Sequence, residues 1–250
     1  MPVGDIITPV INPLLNLSEL RAEFAKNQKV VIKDWMDTAT AENLWRFLDK
    51  EMPRNWLFSS SVPSLKVTTG QSNDYNDCDK FRNIPENQPD INLSFDIAHK
   101  GLSEGKFSYF FWRSFDDHVS DCICQECQFK KFLRSDTMIN FLNTITNRNI
   151  TSLHTAFANI YDKGCFLATH TDDNNGKLAY VFHLSKNWNP AWGGMYFALD
   201  PSLKTVTKTI TPTFNQFAIF SVGNNETPHL VTEVAQNIIH KRISISGWYQ

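Results

Sequence analysis

Apolar positions recur along this chain with two periods, and the changeover lies near residue 150. Before it, helical spacing dominates: "TATAENLWRFLDKEM" places Leu44, Phe47, Leu48 and Met52 on one stripe before Pro53 ends it. "LSELRAEFAKN" predicts another helix with Ser18 as its N-cap, and "CQFKKFLRSDTMINFLNTITN" predicts one more helix packed on a sheet. "KVVIKDWM" and "KFSYFFWRSF" interrupt the helical pattern and predict strands. Residues 66–92 are polar and turn-rich, which predicts a long loop, either a lid or binding loop at the substrate entrance or a passive mobile insertion.

After residue 150 the pattern becomes short apolar runs between Gly, Pro, Asn and Asp clusters. These predict eight strands, over 153–161, 166–171, 178–184, 194–199, 205–210, 216–222, 229–234 and 242–249. Eight short antiparallel strands with helices gathered on one side predict a mainly β, α+β fold: a double-stranded β-helix (jelly roll, cupin-like) packed by N-terminal helices. The chain reads as one domain over 1–250, with 1–150 as helical and strand support and 151–250 as the jelly-roll core.

Composition changes this picture little. A 42% hydrophobic content with 13% aromatic residues fills a substantial core. The net charge of -2, with Lys and Arg scattered, gives no basic stripe and argues against nucleic acid as a partner. No apolar run approaches the roughly 18 residues of a membrane span, and the first residues lack a basic signal region and contain Asp5, Pro9 and Pro13. The expectation is a cytoplasmic protein with no membrane contact. Five cysteines, three of them packed into "CICQEC", do not read as a secreted disulfide framework.

Candidate chemistry begins in "FLATHTDDNNGKLAYVF", where His170 and Asp172 stand two apart. Two apart on a strand means one face, so an imidazole and a carboxylate aim together as they would at a divalent first-row metal. The plainer reading is a surface histidine beside a loop-capping aspartate. A third ligand must return from far along the chain, and His229 opens the seventh strand, which neighbours the second in a jelly roll. His99, His118, His154 and His240 compare poorly, and His183 lies mid-strand facing inward. In the last strand, "RISISGWYQ", Arg242, Ser244 and Ser246 alternate with Ile243 and Ile245. With the isoleucines toward the helices, an arginine faces the interior of the roll, which suits a bound carboxylate. The plainer alternative is a salt bridge to Glu233 or an arginine reaching solvent.

Elsewhere, "HVSDCICQEC" offers His118, Cys122, Cys124 and Cys127 as four ligands for a structural zinc, though the run is tighter than the usual paired spacings. The plainer reading is a reduced cysteine loop.

His170-x-Asp172, His229 and Arg242-x-Ser244, in that order on a predicted jelly roll, resemble the iron(II) and 2-oxoglutarate-dependent oxygenase superfamily. "YVFHLSKNWNPAWGG" followed by "MYFALD", and "TPTFNQFAIFSVGNNETPH", resemble its prolyl-hydroxylase-like branch. The resemblance covers about residues 150–250. It implies that His170, Asp172 and His229 bind Fe(II), that Arg242 pairs with the distal carboxylate of 2-oxoglutarate with Ser244 as a further partner, and that Tyr161 has a secondary role there. The implied reaction consumes 2-oxoglutarate and O2, with ascorbate as an auxiliary reductant, gives succinate and CO2, and hydroxylates an unactivated C–H. The implied substrate is a prolyl residue of a protein or peptide, with a free amino acid or small metabolite as the alternative. The carboxylate of Asp172 favours hydroxylation over halogenation. Two features depart from the branch: a histidine, His183, near the place where some prolyl hydroxylases have a tyrosine, and the long turn "AQNIIHK". Outside the family stand a cupin-type metal enzyme and a non-catalytic jelly-roll binding module.

Overall fold

The computed structural model describes residues 8–51, 56–61, 74–75, 88–114, 122–172, 175–223 and 228–250. In the N-terminal part, α1 (Leu17–Asn27) is capped by Asn16, whose side chain accepts from the Glu19 amide; Ser18, the expected cap, instead donates to Asn16 Oδ1 at 2.7 Å. Strand β1 (Lys29–Lys33) follows, then α2 (Thr38–Arg46), capped by Asp37 and running into a π-helical turn over Phe47–Glu51. The helix expected across the "CQFKKFLRSDTMINFLNTITN" stretch is two helices, α4 (Gln125–Leu133) and α5 (Asp136–Thr146). Ser135 breaks the run and caps α5 through its hydroxyl, which accepts from the Met138 amide. Of the stretch 66–92 expected as a loop, the part described is not loop: Asp74–Tyr75 forms strand β3, and 88–92 opens the helix α3 (Gln88–Ser103). The expected lid otherwise lies outside the described residues. No helix among the described residues is long and apolar enough to cross a membrane.

All eight expected strands form. β5 (Leu153–Tyr161), β6 (Phe166–His170), β7 (Leu178–His183), β8 (Tyr196–Leu199), β9 (Val206–Ile210), β10 (Gln216–Ser221), β11 (His229–Val231) and β12 (Arg242–Tyr249) join β1, β2 (Trp56–Ser60), β3 and β4 (Tyr109–Ser114) in one curled antiparallel sheet. Its hydrogen-bonded path runs β1-β10-β7-β12-β5-β4-β6-β11-β8-β9. β4 is the hinge of the curl, pairing with β5 through Trp112 and Arg113 and with β6 through Tyr109 and Phe110.

Alternation sorts the side chains. Ile243 and Ile245 of β12, Ala158 and Ile160 of β5 and Phe182 of β7 face the helices, in one core with Phe24, Leu44, Phe129, Leu133 and Leu142. At its centre Trp35 stacks on Phe217 with centroids 3.9 Å apart and meets Phe182 edge-on at 4.9 Å. The opposite face carries Phe157, Asn159, Tyr161, Arg242, Ser244 and Ser246 into a cavity beneath β6, β11 and β8. A second apolar cluster, with Tyr196, Ala198, Ile210 and Phe220, packs the two arms of the curl together.

Candidate functional site

The cavity between the arms has a volume of about 600 Å³, and its polar groups collect at two places. The first lies at the end of β6. Pairing of β6 with β11 sets His170 directly opposite His229, and the two rings lie 4.2 Å apart between centroids. Asp172 is not on the strand as expected, because β6 ends at His170; the carboxylate reaches back from the following turn, which Asn175 closes by donating its amide to the Asp172 carbonyl at 3.1 Å. The outcome resembles the expected one: Asp172 Oδ1 is 3.7 Å from His170 Nε2 and Oδ2 is 3.6 Å from His229 Nε2. One ligand-type atom from each of the three side chains lies within 4.8 Å of the others.

The orientation of His170 is held by hydrogen bonding. Its Nδ1 lies 3.0 Å from the Ala168 carbonyl, so Nδ1 carries the hydrogen and Nε2 presents a lone pair to the cavity. Burial, and secondarily the neighbouring His229, lower its pKa to about 4, the partial counterweight being the charge of Asp172. Tyr196 stacks on His229 at 5.1 Å and backs it from β8. Burial, followed by the nearby Asp172 charge, pushes the Tyr196 phenol well above its ordinary range, so it is a neutral wall.

The second place is the start of β12. Arg242 is 2% exposed, and no carboxylate among the described residues lies within ion-pair distance of it. The alternative pairing with Glu233 is therefore not made; Glu233 instead faces His99 at 3.5 Å. Arg242 Nη1 donates a long hydrogen bond to Ser244 Oγ at 3.5 Å, its Nε has no partner among the described residues, and its guanidinium sits 4.7 Å from the centre of the Tyr161 ring. Burial lowers the arginine's pKa from its usual value, and burial likewise pushes Tyr161 up.

The "WGG" segment explains how this arginine is seated. Gly193 and Gly194 both have positive φ (75° and 63°). A Cβ on Gly193 would stand 1.9 Å from the Glu233 carbonyl oxygen, and one on Gly194 would press on Arg242 Cδ and Trp188 at 3.1 Å. Their bare backbone lets the strand beside β11 close over the arginine stem.

Of the other histidines, His183 faces the Arg242 side of the sheet, opposite Ser244 in the β12 register. It is 1% exposed with Nδ1 unpartnered among the described residues, and burial, then the Arg242 charge, hold it well below the usual histidine range. His99 stacks on Phe95, His154 contacts Gln250 and His240 stacks on Trp192, all away from the cavity, while His118 lies outside the described residues. The cavity residues that went unread in the sequence include Tyr196 and the pair Arg113 and Asn159, which face each other across β4 and β5. The signal was alternation, since Tyr109, Phe111 and Arg113 share the face of β4 opposite Phe110 and Trp112.

Comparison with known proteins follows the same lines. Residues 156–250, which contain His170, Asp172, His229, Arg242, Ser244 and Tyr161, match the model of the 2OG-Fe(II) oxygenase superfamily. No curated protein sequence matches the chain. A prolyl hydroxylase from Trichoplax adhaerens, solved in complex with a hypoxia inducible factor oxygen degradation domain peptide fragment, is similar with TM-score 0.56 and 14% identity, over 93% of this chain and 88% of that one. A 2OG-Fe(II) oxygenase family oxidoreductase from Burkholderia pseudomallei is similar with TM-score 0.59 and 11% identity, over 95% and 92% of the two chains. A structure from a study of Phytophthora capsici prolyl 4-hydroxylases gives TM-score 0.52 and 15% identity, over 93% of this chain and 61% of that one. At such identities the likeness is one of fold, a jelly roll flanked by helices. Residues 156–250, the part of the chain that carries His170, Asp172, His229 and Arg242, are thus similar to the 2OG-Fe(II) oxygenase superfamily.

Proposed function

We propose that His170, Asp172 and His229 bind iron(II), that Arg242 with Ser244 and Tyr161 seats the distal carboxylate of 2-oxoglutarate, and that the protein hydroxylates an unactivated C–H bond of a prolyl residue in a protein or peptide. One observation carries this reading: two imidazoles and one carboxylate converge in the same cavity as a buried arginine that has no carboxylate partner among the described residues. The donor set fits iron(II), since two neutral nitrogens and one carboxylate leave coordination positions for a chelating cosubstrate and O2. The arginine fits the cosubstrate. An unpaired buried guanidinium costs several kcal/mol, which a bidentate carboxylate offsets.

With these groups bound, the chemistry supplied is oxidative decarboxylation of 2-oxoglutarate to succinate and CO2, coupled to hydroxylation of the substrate. The chain's own part is positioning. Ala168 fixes the His170 tautomer, and burial keeps that ring deprotonated near neutrality, so no proton competes for Nε2. Asp172 brings the negative charge that a dication requires. His183, neutral beside Arg242, offers a hydrogen bond without adding charge. Phe107, Tyr109, Phe111 and Trp248 give the cavity an aromatic lining that limits water, and Arg113 with Asn159 orients the substrate. We take 1–150 as the support on which the 151–250 core is held. The peptide bound to the Trichoplax neighbour favours a peptide substrate here.

The test is succinate formation from 2-oxoglutarate with iron(II) and ascorbate, screened over proline-containing peptides and free amino acids. Proline-containing peptides should stimulate turnover and gain one oxygen atom. Stimulation by a free amino acid alone would replace the peptide reading, and no succinate under any condition would contradict the oxygenase reading.

A further inference from the structure

Outside the cavity, one cluster of metal-ligating side chains among the described residues remains unused. Cys122, Cys124 and Cys127 bring their three Sγ atoms within 4.8 Å of one another at the start of α4. All three are half-buried and none is in a disulfide. Cys124 occupies the N-cap position of α4, yet its side chain makes no capping hydrogen bond. Cys127 lies one helical turn later, so its sulfur returns to the same side as the cap residue.

We propose that Cys122, Cys124 and Cys127 form a three-thiolate site for a thiophilic d¹⁰ cation, zinc(II), separate from the iron ligands. Three sulfurs held about 2.3 Å from a shared tetrahedral ion stand roughly 3.8 Å from one another, so the observed cluster needs only small side-chain adjustments to close on zinc. On binding, each thiol releases its proton to solvent and a Zn–S bond forms, with no change of oxidation state. His118, the further ligand expected from the sequence, lies outside the described residues, and the site stands on the three cysteines alone.

The surroundings indicate what the site would hold in place. Beside Cys127, Glu126 is fully buried and pairs with buried Lys130 at 2.9 Å. Glu126 Oε1 also accepts from Ser114 Oγ at 2.5 Å, and that hydroxyl accepts from the Ala158 amide of β5 at 2.8 Å. Ala158 precedes Asn159 of the cavity wall. An ion tying Cys122 and Cys124 to Cys127 therefore fixes the entry to a helix whose first turn is hydrogen-bonded to the cavity sheet.

Cobalt(II), added anaerobically to reduced, metal-free protein, reports the site directly, because thiolate ligands give an intense near-ultraviolet charge-transfer band that imidazole and carboxylate ligands do not. The full chain should take up a second equivalent of cobalt beyond that held by His170, Asp172 and His229, with the charge-transfer band growing in; zinc should bleach it. The Cys124→Ser/Cys127→Ser variant should lose the band and one equivalent, whereas His170→Ala should keep the band. Absence of the band in the parent chain overturns the proposal whether or not the cysteine variant folds, and so does its persistence in the cysteine variant.

Discussion

His170 and His229, far apart in the chain, are direct partners across the β6–β11 pair, and Asp172 places one carboxylate oxygen within 3.7 Å of the first and the other within 3.6 Å of the second. The relationship is set by strand register. A one-residue slip would turn one of the two rings away from the cavity, so the pairing that builds the sheet also builds the ligand set.

Arg242→Ala leaves that ligand set in place but removes the cation facing the cosubstrate carboxylate. A buried charge-assisted contact of this kind is worth roughly 2–5 kcal/mol on truncation. The 2-oxoglutarate concentration for half-maximal turnover should rise about 30-fold or more, since each 1.4 kcal/mol is about tenfold. Iron affinity should stay near that of the parent. Arg242→Lys should recover only part of the loss, because a point charge lacks the bidentate fork. Unchanged 2-oxoglutarate dependence in the alanine variant would remove Arg242 from the site.

Gly194→Ala tests how the arginine is seated. The positive φ costs a side chain about 1–2 kcal/mol, and the new Cβ meets Arg242 Cδ and Trp188 at 3.1 Å. Thermal unfolding should shift down by about 2–4 °C per kcal/mol, with a several-fold rise in the 2-oxoglutarate requirement. Gly193→Ala should be more severe for folding, because its Cβ would meet the Glu233 carbonyl at 1.9 Å, where backbone has to move. A Gly194→Ala chain with parental stability and cosubstrate dependence would show that this backbone does not set the arginine.

The metal-free protein should lose stability on mild acidification. His170 binds a proton with a pKa near 6.5 when unfolded but only near 4 when folded, mainly because of burial. Between those values the unfolded chain holds more protons, so stability falls as pH drops from 6.5 toward 4 and is insensitive to this group above 6.5. The difference corresponds to the order of 3 kcal/mol. Buried His183, also held low, acts in the same direction. Urea midpoints measured from pH 7 to 4.5 should decline steadily, and His170→Asn should flatten part of the slope. A parental slope in that variant would assign the acid sensitivity to other groups.

Much of the core was legible because in strands such as β5 and β12 one face is buried against the helices and the other lines the cavity. Period-two alternation in "RISISGWYQ" placed Arg242 and Ser244 opposite Ile243 and Ile245, as the structure has them. What escaped was set by local or tertiary context. The break at Ser135 was hidden because the apolar spacing continues across it and only a side-chain cap divides the helices. Helix α3 was obscured by a mixed pattern: Ile91 and Ala98 are buried while Leu93, Ile97 and Leu102 are exposed, so no clean apolar stripe forms. Asp172 was read onto the strand, yet a turn delivers it, and the distinction cannot be drawn from a spacing of two residues. Arg113 was missed because it enters the cavity through the crossing of β4 from one arm of the curl to the other, whereas Asn159 follows from alternation with Phe157 and Tyr161 on β5, opposite Ser244.

The most direct test of the central claim is iron-dependent succinate formation by Asp172→Ala beside the parent chain, with bound iron quantified in the same samples. The account predicts steady 2-oxoglutarate turnover by the iron-loaded parent. In the variant it predicts a loss of about 100-fold or more, together with loss of bound iron, because a direct ligand is removed rather than one of its supports. An Asp172→Ala protein that keeps its iron and turns over 2-oxoglutarate at the parental rate would contradict it.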